Sequence, residues 1–265
     1  MASPPAADAA REAGLELLQT ESVNRPDAVD RVRAAGPELG VVCAFGQLIK
    51  DPLLSELLML NVHPSLLPRW RGAAPIERAI MASDERTGVT IIRVGAGYDS
   101  GPIALQEEVA VGAKEDYGSL AGRLAEVGGE LIVRALDLHA TGALEFADQD
   151  ELQATYAEKI DPAERRLDPR RPADELERRV RALNPHLGAY LELDGGGRLV
   201  VRAAVKEDGE LQPGRLVAEG GELRLGCAAG VLRLELVQPA GGRPMPVESY
   251  LRGHSVPQLG ERSVG

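Results

Sequence analysis

The feature that most constrains this chain is a change of pattern near residue 150. Before it, short apolar runs rich in β-branched residues alternate with helical periodicities. After it, one helical segment is followed by five short β-type runs separated by glycine-bearing turns. Alternation of the first kind predicts an α/β layer on a parallel, Rossmann-like sheet. Short strands at regular intervals predict a small OB-like β-barrel. The two patterns call for separate cores, and 265 residues suffice for both. The expected organisation is a first domain over residues 1–148, a polar linker over 149–163 and a β-rich domain over 164–265.

Within the first half, ELGVVCAF (38–45) is a continuous apolar run and reads as a strand buried on both faces. Strands are also predicted at 58–63, 87–94 and 103–111, and helices at 8–18, 27–35, 47–57 and 75–83. The clearest helix is 117–138, where Leu120, Leu124, Val127, Leu131, Ala135 and Leu138 recur at steps of three and four. In the second half a helix at 172–183 precedes β-type runs at 189–193, 198–205, 215–218, 222–227 and 231–237. Domains of the first kind usually open on a buried strand. This chain opens on a loose Ala/Pro-rich helix, so the opening of its sheet is expected to be missing.

Composition narrows the class. No apolar stretch is long enough to cross a bilayer, and MASPPAADAAREAG lacks the basic start and apolar core of a signal peptide. A cytoplasmic protein without membrane contact is expected. Cys43 and Cys227 both lie among apolar residues and read as buried, reduced thiols. The four histidines are scattered and no Cys/His cluster has ligand spacing, so no metal is expected. The net charge of −11 is uneven: residues 1–150 hold 13 basic against 23 acidic side chains, residues 151–265 hold 17 against 18. The first half is a poor match for a polyanion, whereas the second leaves room for a local basic face.

The chemistry concentrates in NVHPSLLPRWRGAAPI, residues 61–76. Asn61 and His63 stand two apart on a strand, so their side chains share one face. Pro64 ends the ladder there, and open α/β sheets bind ligands at the carboxyl ends of their strands. Asp99 follows in the glycine-rich loop GAGYDSGP. An amide that donates to an oxyanion, an imidazole that shuttles a proton and a carboxylate that orients it together suit acyl transfer. Spacing alone also allows His63 to satisfy a strand end and Asp99 to cap a turn. Ser65 lies outside any nucleophile elbow.

The same stretch resembles the core of the methionyl-tRNA formyltransferases, with an Asn-x-His pair (Asn61, His63), an SLLP turn (Ser65, Leu66, Leu67, Pro68) and a later Asp (Asp99). VVCAFGQLI (41–49) resembles that family's folate-contacting strand and loop, with Phe45 where Tyr is common. YDSGPI (98–103) is similar to its LDTGPI. TYAEKI (155–160), RALNP (181–185) and VQPAGGRPM (237–245) match segments of its tRNA branch, so the resemblance spans nearly all of residues 10–253. The family's opening strand, its GTPxFA-type loop and its basic loop have no counterpart here.

The resemblance implies transfer of a formyl group from 10-formyltetrahydrofolate to the α-amine of initiator methionyl-tRNA, by a monomer that needs no metal. It implies Asn61, His63 and Asp99 as catalytic groups, and a folate seat at Cys43, Ala44, Phe45, Gly46 and the Ser65–Pro68 turn. Arg69 and Arg71 flank Trp70 and could meet RNA phosphate or the folate tail; a solvated loop with Arg packed on Trp is the alternative. Arg178 and Arg181 belong to a cationic run with Arg165, Arg166, Arg170, Arg171 and Arg179. That run suits either tRNA backbone or an ordinary salt-bridged helix surface. Another amine acceptor (a sugar nucleotide or glycinamide ribonucleotide), formyltetrahydrofolate hydrolysis and an inactive fragment remain alternatives.

Overall fold

The computed structural model describes residues 4–260, so the outermost residues of both expected domains lie outside it. β1 (Gly40–Cys43) and β2 (Met59–His63) pair in parallel, with Gly40 opposite Met59 and Cys43 opposite Val62. β4 (Arg86–Arg93) lies antiparallel to β2, and β5 (Ile103–Ala110) antiparallel to β4, giving the order β1-β2-β4-β5. The α/β layer is present, but its sheet is mixed rather than parallel. A buried apolar run reports burial and is silent on strand direction. The short loop between β4 and β5 cannot span the dozen or more residues of a parallel crossover.

Three further expectations fail on the same side. β1 is not buried on both faces: its residues alternate between half-buried and exposed, because it is the edge of the sheet. Cys43 is therefore exposed, whereas Cys227 is buried as expected. The predicted helix at 47–57 shrinks to α3 (Leu53–Glu56). Its first half is a loop tied to the preceding segment: Asn24 Nδ2 donates to the Leu48 carbonyl, and Asn24 Oδ1 accepts from the Lys50 amide. Helices α1 (Pro5–Glu12) and α2 (Pro26–Ala35) precede the sheet. Val29 of α2, Leu53 and Met59 form a small core of their own.

The main core of the first domain lies under α5 (Tyr117–Ala140), which starts at Asp116, whose side chain accepts from the Ser119 amide. Its buried face is Leu120, Leu124, Gly128, Leu131 and Ala135, the predicted three-and-four stripe with glycine at one step. A Cβ on Gly128 would stand 3.0 Å from Val62, so the missing side chain lets α5 press on the strand carrying Asn61 and His63. α4 (Pro75–Met81) completes this core through Ile76 and Ile80.

The second domain is a helix on an antiparallel sheet. α6 (Ala173–Leu183) buries Leu176, Val180 and Leu183 against strands β7 (Ala189–Glu192), β8 (Arg198–Glu207), β9 (Leu216–Glu219), β10 (Glu222–Gly226) and β11 (Val231–Pro239). The sheet order is β7-β8-β11-β10-β9, with β12 (Met245–Pro246) beside β11 and α7 (Val247–Gly253) following. Among the described residues it does not close into a barrel. The chain bridges Tyr190 of β7 from Arg166 and Leu193 from Leu259, so these segments take the edge that a closing strand would need.

The expected linker is not a free tether. It carries β6 (Tyr156–Ala157), which pairs in parallel with β3 (Arg71–Gly72), directly after the SLLP turn. The Arg71 amide donates to Thr155 O at 2.9 Å and the Ala73 amide to Ala157 O at 2.8 Å. α6 is fastened to the first domain by Arg178 Nε donating to Met81 O, Arg181 Nη1 to Glu115 O and Asn184 Nδ2 to Asp116 Oδ2. Among the described residues no helix is long and apolar enough to cross a membrane.

Candidate active site

β2 ends with Asn61 and His63 on the face opposite Val62, and the β4–β5 loop brings Asp99 over them. Asn61 Nδ2 donates to Asp99 Oδ1 at 3.2 Å. The other carboxylate oxygen accepts from the Gly72 amide at 2.9 Å and lies 3.6 Å from His63 Nδ1. His63 Nε2 is 2.9 Å from the Trp70 carbonyl, which accepts only, so Nε2 carries the proton and Nδ1 is the nitrogen facing Asp99. Burial of His63, only 4% exposed, holds its pKa below the usual range; the Asp99 charge and the Trp70 carbonyl pull the other way and are outweighed. The imidazole is neutral at rest.

Asp99 sits at φ 50°, in the left-handed region. That is a sparsely populated conformation for a residue with a side chain, and surrounding bonds must hold it. Gln149 supplies two: its Nε2 donates to the Asp99 carbonyl at 2.8 Å and to the Gly101 carbonyl at 2.7 Å.

These groups open on a cavity of about 640 Å³, the size of small-molecule sites. Cys43, Ala44, Phe45 and Gly46 line one side of it, with Phe45 44% exposed. Tyr117, Ala121 and Leu124 of α5 line another. The SLLP turn is not brought to this cavity. Ser65 is fully buried, with Oγ donating to Arg69 O. The Leu67 amide is held by Thr90 Oγ1 and its carbonyl by Gln106 Nε2. The turn braces the strand end from behind.

Four of the arginines named from the sequence, Arg69, Arg71, Arg178 and Arg181, separate. Arg71 is the largest fully buried side chain among the described residues, with Gln149 Oε1 and both carboxylate oxygens of Glu151 around its guanidinium. The expected contact with RNA or the folate tail is closed to it, because β3 turns it inward beneath the linker. Arg178 and Arg181 are engaged by carbonyls of the first domain and by Asp174 and Glu177 one helical turn back. Arg69 stacks on Trp70 at 4.3 Å and forks Asp84, yet keeps 44% of its side chain exposed.

Residues 1–136 match the formyl transferase family model and residues 159–255 the formyl transferase C-terminal domain model. The methionyl-tRNA formyltransferase of Cereibacter sphaeroides is 40% identical over 256 residues, covering 96% of this chain and 83% of the relative. The chain belongs to this formyltransferase family. The methionyl-tRNA formyltransferase of Methylococcus capsulatus is 39% identical over 97% of this formyltransferase chain and 84% of its own. The fold also matches HypX from Aquifex aeolicus, solved in complex with tetrahydrofolic acid, with a TM-score of 0.68 at 20% identity over 86% of this chain and 41% of that one.

Four features of the formyltransferase site carry no signal in motif or spacing: the Gly72 amide, the Trp70 carbonyl, Gln149 and Glu77. Two are backbone groups that any residue supplies, and Gln149 lies in a polar stretch that reads as linker. Glu77 lines the cavity from α4, buried to 8% exposure, and takes His186 Nε2 of the second domain on Oε1 at 3.0 Å. The His186 ring stacks on Tyr117 at 3.7 Å, so the second domain supports two residues of a wall that the first domain forms.

Proposed function

We propose that this chain formylates the α-amine of initiator methionyl-tRNA, taking the formyl group from 10-formyltetrahydrofolate, and so supports translation initiation in the cytoplasm. The observation that carries the reading is one carboxylate, Asp99, held at the cavity by an amide, a backbone N–H and the neighbourhood of a buried imidazole, in a chain of this family. The chain is proposed to act as a monomer. The folate is proposed to lie against Cys43–Gly46 and the 95–101 loop. Of the arginines considered, Arg69, Arg170 and Arg171 have the exposure to meet a tRNA phosphate, at 44%, 52% and 61% of the side chain.

In this reading the amine nitrogen attacks the formyl carbon, and the carbonyl oxygen becomes an oxyanion. Asn61 has a second N–H, not used by Asp99, to give to that oxygen. Asp99 receives the proton released by the attacking nitrogen and passes it to Nδ1 of His63. The resulting imidazolium offsets the oxyanion charge. When the tetrahedral centre collapses, the bond from formyl carbon to folate N10 breaks and N10 takes the same proton. One C–N bond forms and one breaks, and no net proton is consumed.

The test is formylation of methionyl-tRNA by purified His63→Ala. Loss of at least about a hundredfold in turnover is expected, the scale of a lost acid–base group. Near-normal turnover sinks the assignment. Formate release from the folate without any amine present would make the chain a hydrolase instead.

A further inference from the structure

We infer that Gln149 is a positioning residue for Asp99, anchored by the buried Arg71, which pairs with Glu151; this rests on the reading of Asp99 given above. Asp99 holds its carboxylate toward three partners only while its backbone stays at φ 50°. Gln149 is built to hold it there. It is 9% exposed, and its amide nitrogen spans the carbonyls on both sides of Ser100, at 2.8 Å to Asp99 and 2.7 Å to Gly101. An Nε2 with two hydrogens and two carbonyl acceptors is fully committed, so the amide cannot rotate without losing both bonds.

The far end of the amide is committed as well. Gln149 Oε1 accepts from Arg71 Nε at 3.0 Å and Nη2 at 2.8 Å. The rest of the guanidinium forks Glu151, with Nη1 to Oε2 at 2.9 Å and Nη2 to Oε1 at 2.8 Å. Arg71 is followed by Gly72, whose amide donates to Asp99 Oδ2. One connected set of bonds thus fixes the Asp99 backbone from one side and its carboxylate from the other. Gly101 adds a stop: a Cβ there would meet the Arg93 carbonyl oxygen at 1.8 Å, so the loop has one seat and no slack. Gln149 touches no cavity-lining side chain in this set and reaches the chemistry through Asp99 alone.

The experiment is a double-mutant cycle between Gln149→Met, which keeps length and removes donor and acceptor, and Asp99→Asn, read in steady-state formylation of methionyl-tRNA by the full chain. Gln149→Met is expected to lower kcat about ten- to a hundredfold, the scale of an ångström-level misplacement, with the folate KM within about threefold. In the Asp99→Asn background the same substitution should cost less than about threefold more, because a group acting through Asp99 has nothing left to act on. Multiplying losses overturn the positioning role and leave the Asp99 assignment standing. Near-normal kcat in Asp99→Asn alone overturns that assignment, and this one with it. If Gln149→Met does not fold, Glu151→Gln serves in its place, since Glu151 is 68% exposed and its loss weakens only the anchor. A kcat lowered a few-fold at unchanged folate KM supports the inference, and an unchanged kcat overturns it.

Discussion

The amide of Asn61 is oriented by Asp99. A carboxylate can only accept, so the group that Asn61 turns toward Asp99 Oδ1, 3.2 Å away, must be its NH2. That choice fixes the whole side chain: one N–H is used by the carboxylate and the other is left for the cavity. A residue 38 positions further along the chain therefore decides that the strand presents a donor, rather than an acceptor, to a developing oxyanion.

Asp99→Asn removes this constraint as well as the charge. Turnover should fall by at least about a hundredfold, because an amide offers one acceptor where Asn61 Nδ2 and the Gly72 amide need two, and the proton loses its first stop. Folate affinity, measured by equilibrium titration, should stay within about threefold. A loss confined to folate affinity would move Asp99 from the chemistry to the binding site.

His63 gives a pH signature in stability. Its pKa is depressed in the folded chain by burial. The unfolded chain protonates this imidazole near its ordinary value of about 6.5, before the folded one does. Stability is therefore full above that value and is lost as pH falls from it toward the folded pKa. Urea titrations of the parent and of His63→Gln at pH 7.5 and 5.5 check this. The parent should lose more stability than the variant, and equal losses would show that burial does not hold the imidazole neutral.

The two cysteines should behave differently toward a thiol reagent. Cys227 is buried, and burial pushes its pKa up to about 11, so it should stay unreactive in the folded protein. Cys43 is exposed and lines the cavity, so it should react. Saturating 5-formyltetrahydrofolate, a stable folate analogue, should slow its modification at least about tenfold if the folate covers the Cys43–Gly46 wall. Unchanged labelling would place the folate elsewhere.

Arg181 tests what α6 is for. Arg181→Met removes the bonds to Glu115 O and Glu177 and should cost about 1–2 kcal/mol of stability. The salt dependence of methionyl-tRNA binding should be unchanged, since that slope counts cations placed on phosphates. A shallower slope would mean that Arg181 leaves the first domain to meet RNA.

How far these relationships could be read from the residues follows from their range. α5 was legible because its stripe is local, and Asn61 and His63 because period two on a strand is local too. β4 announced its burial through TGVTIIRV but not its direction; the shortness of the following loop settles only that β5 runs opposite to β4. The 47–50 loop looked helical because nothing near it shows that Asn24 holds it open. Gln149 was unreadable for the same reason: its partners are 48 to 78 positions away, and in its own neighbourhood it is one polar residue among several.

The pairing of Arg71–Gly72 with Tyr156–Ala157 bears on how such chains can be recombined. A chimera that exchanges the β-rich half by joining parents before Gln149 would bring in a foreign segment against the Asp99 loop, and both parents' site geometries would be mixed. A junction placed after Ala157 keeps the native segment with the loop it supports. Exchangeable units in this chain end inside the polar stretch, past the residues that close over Arg71, and not where the helical pattern of the first half stops.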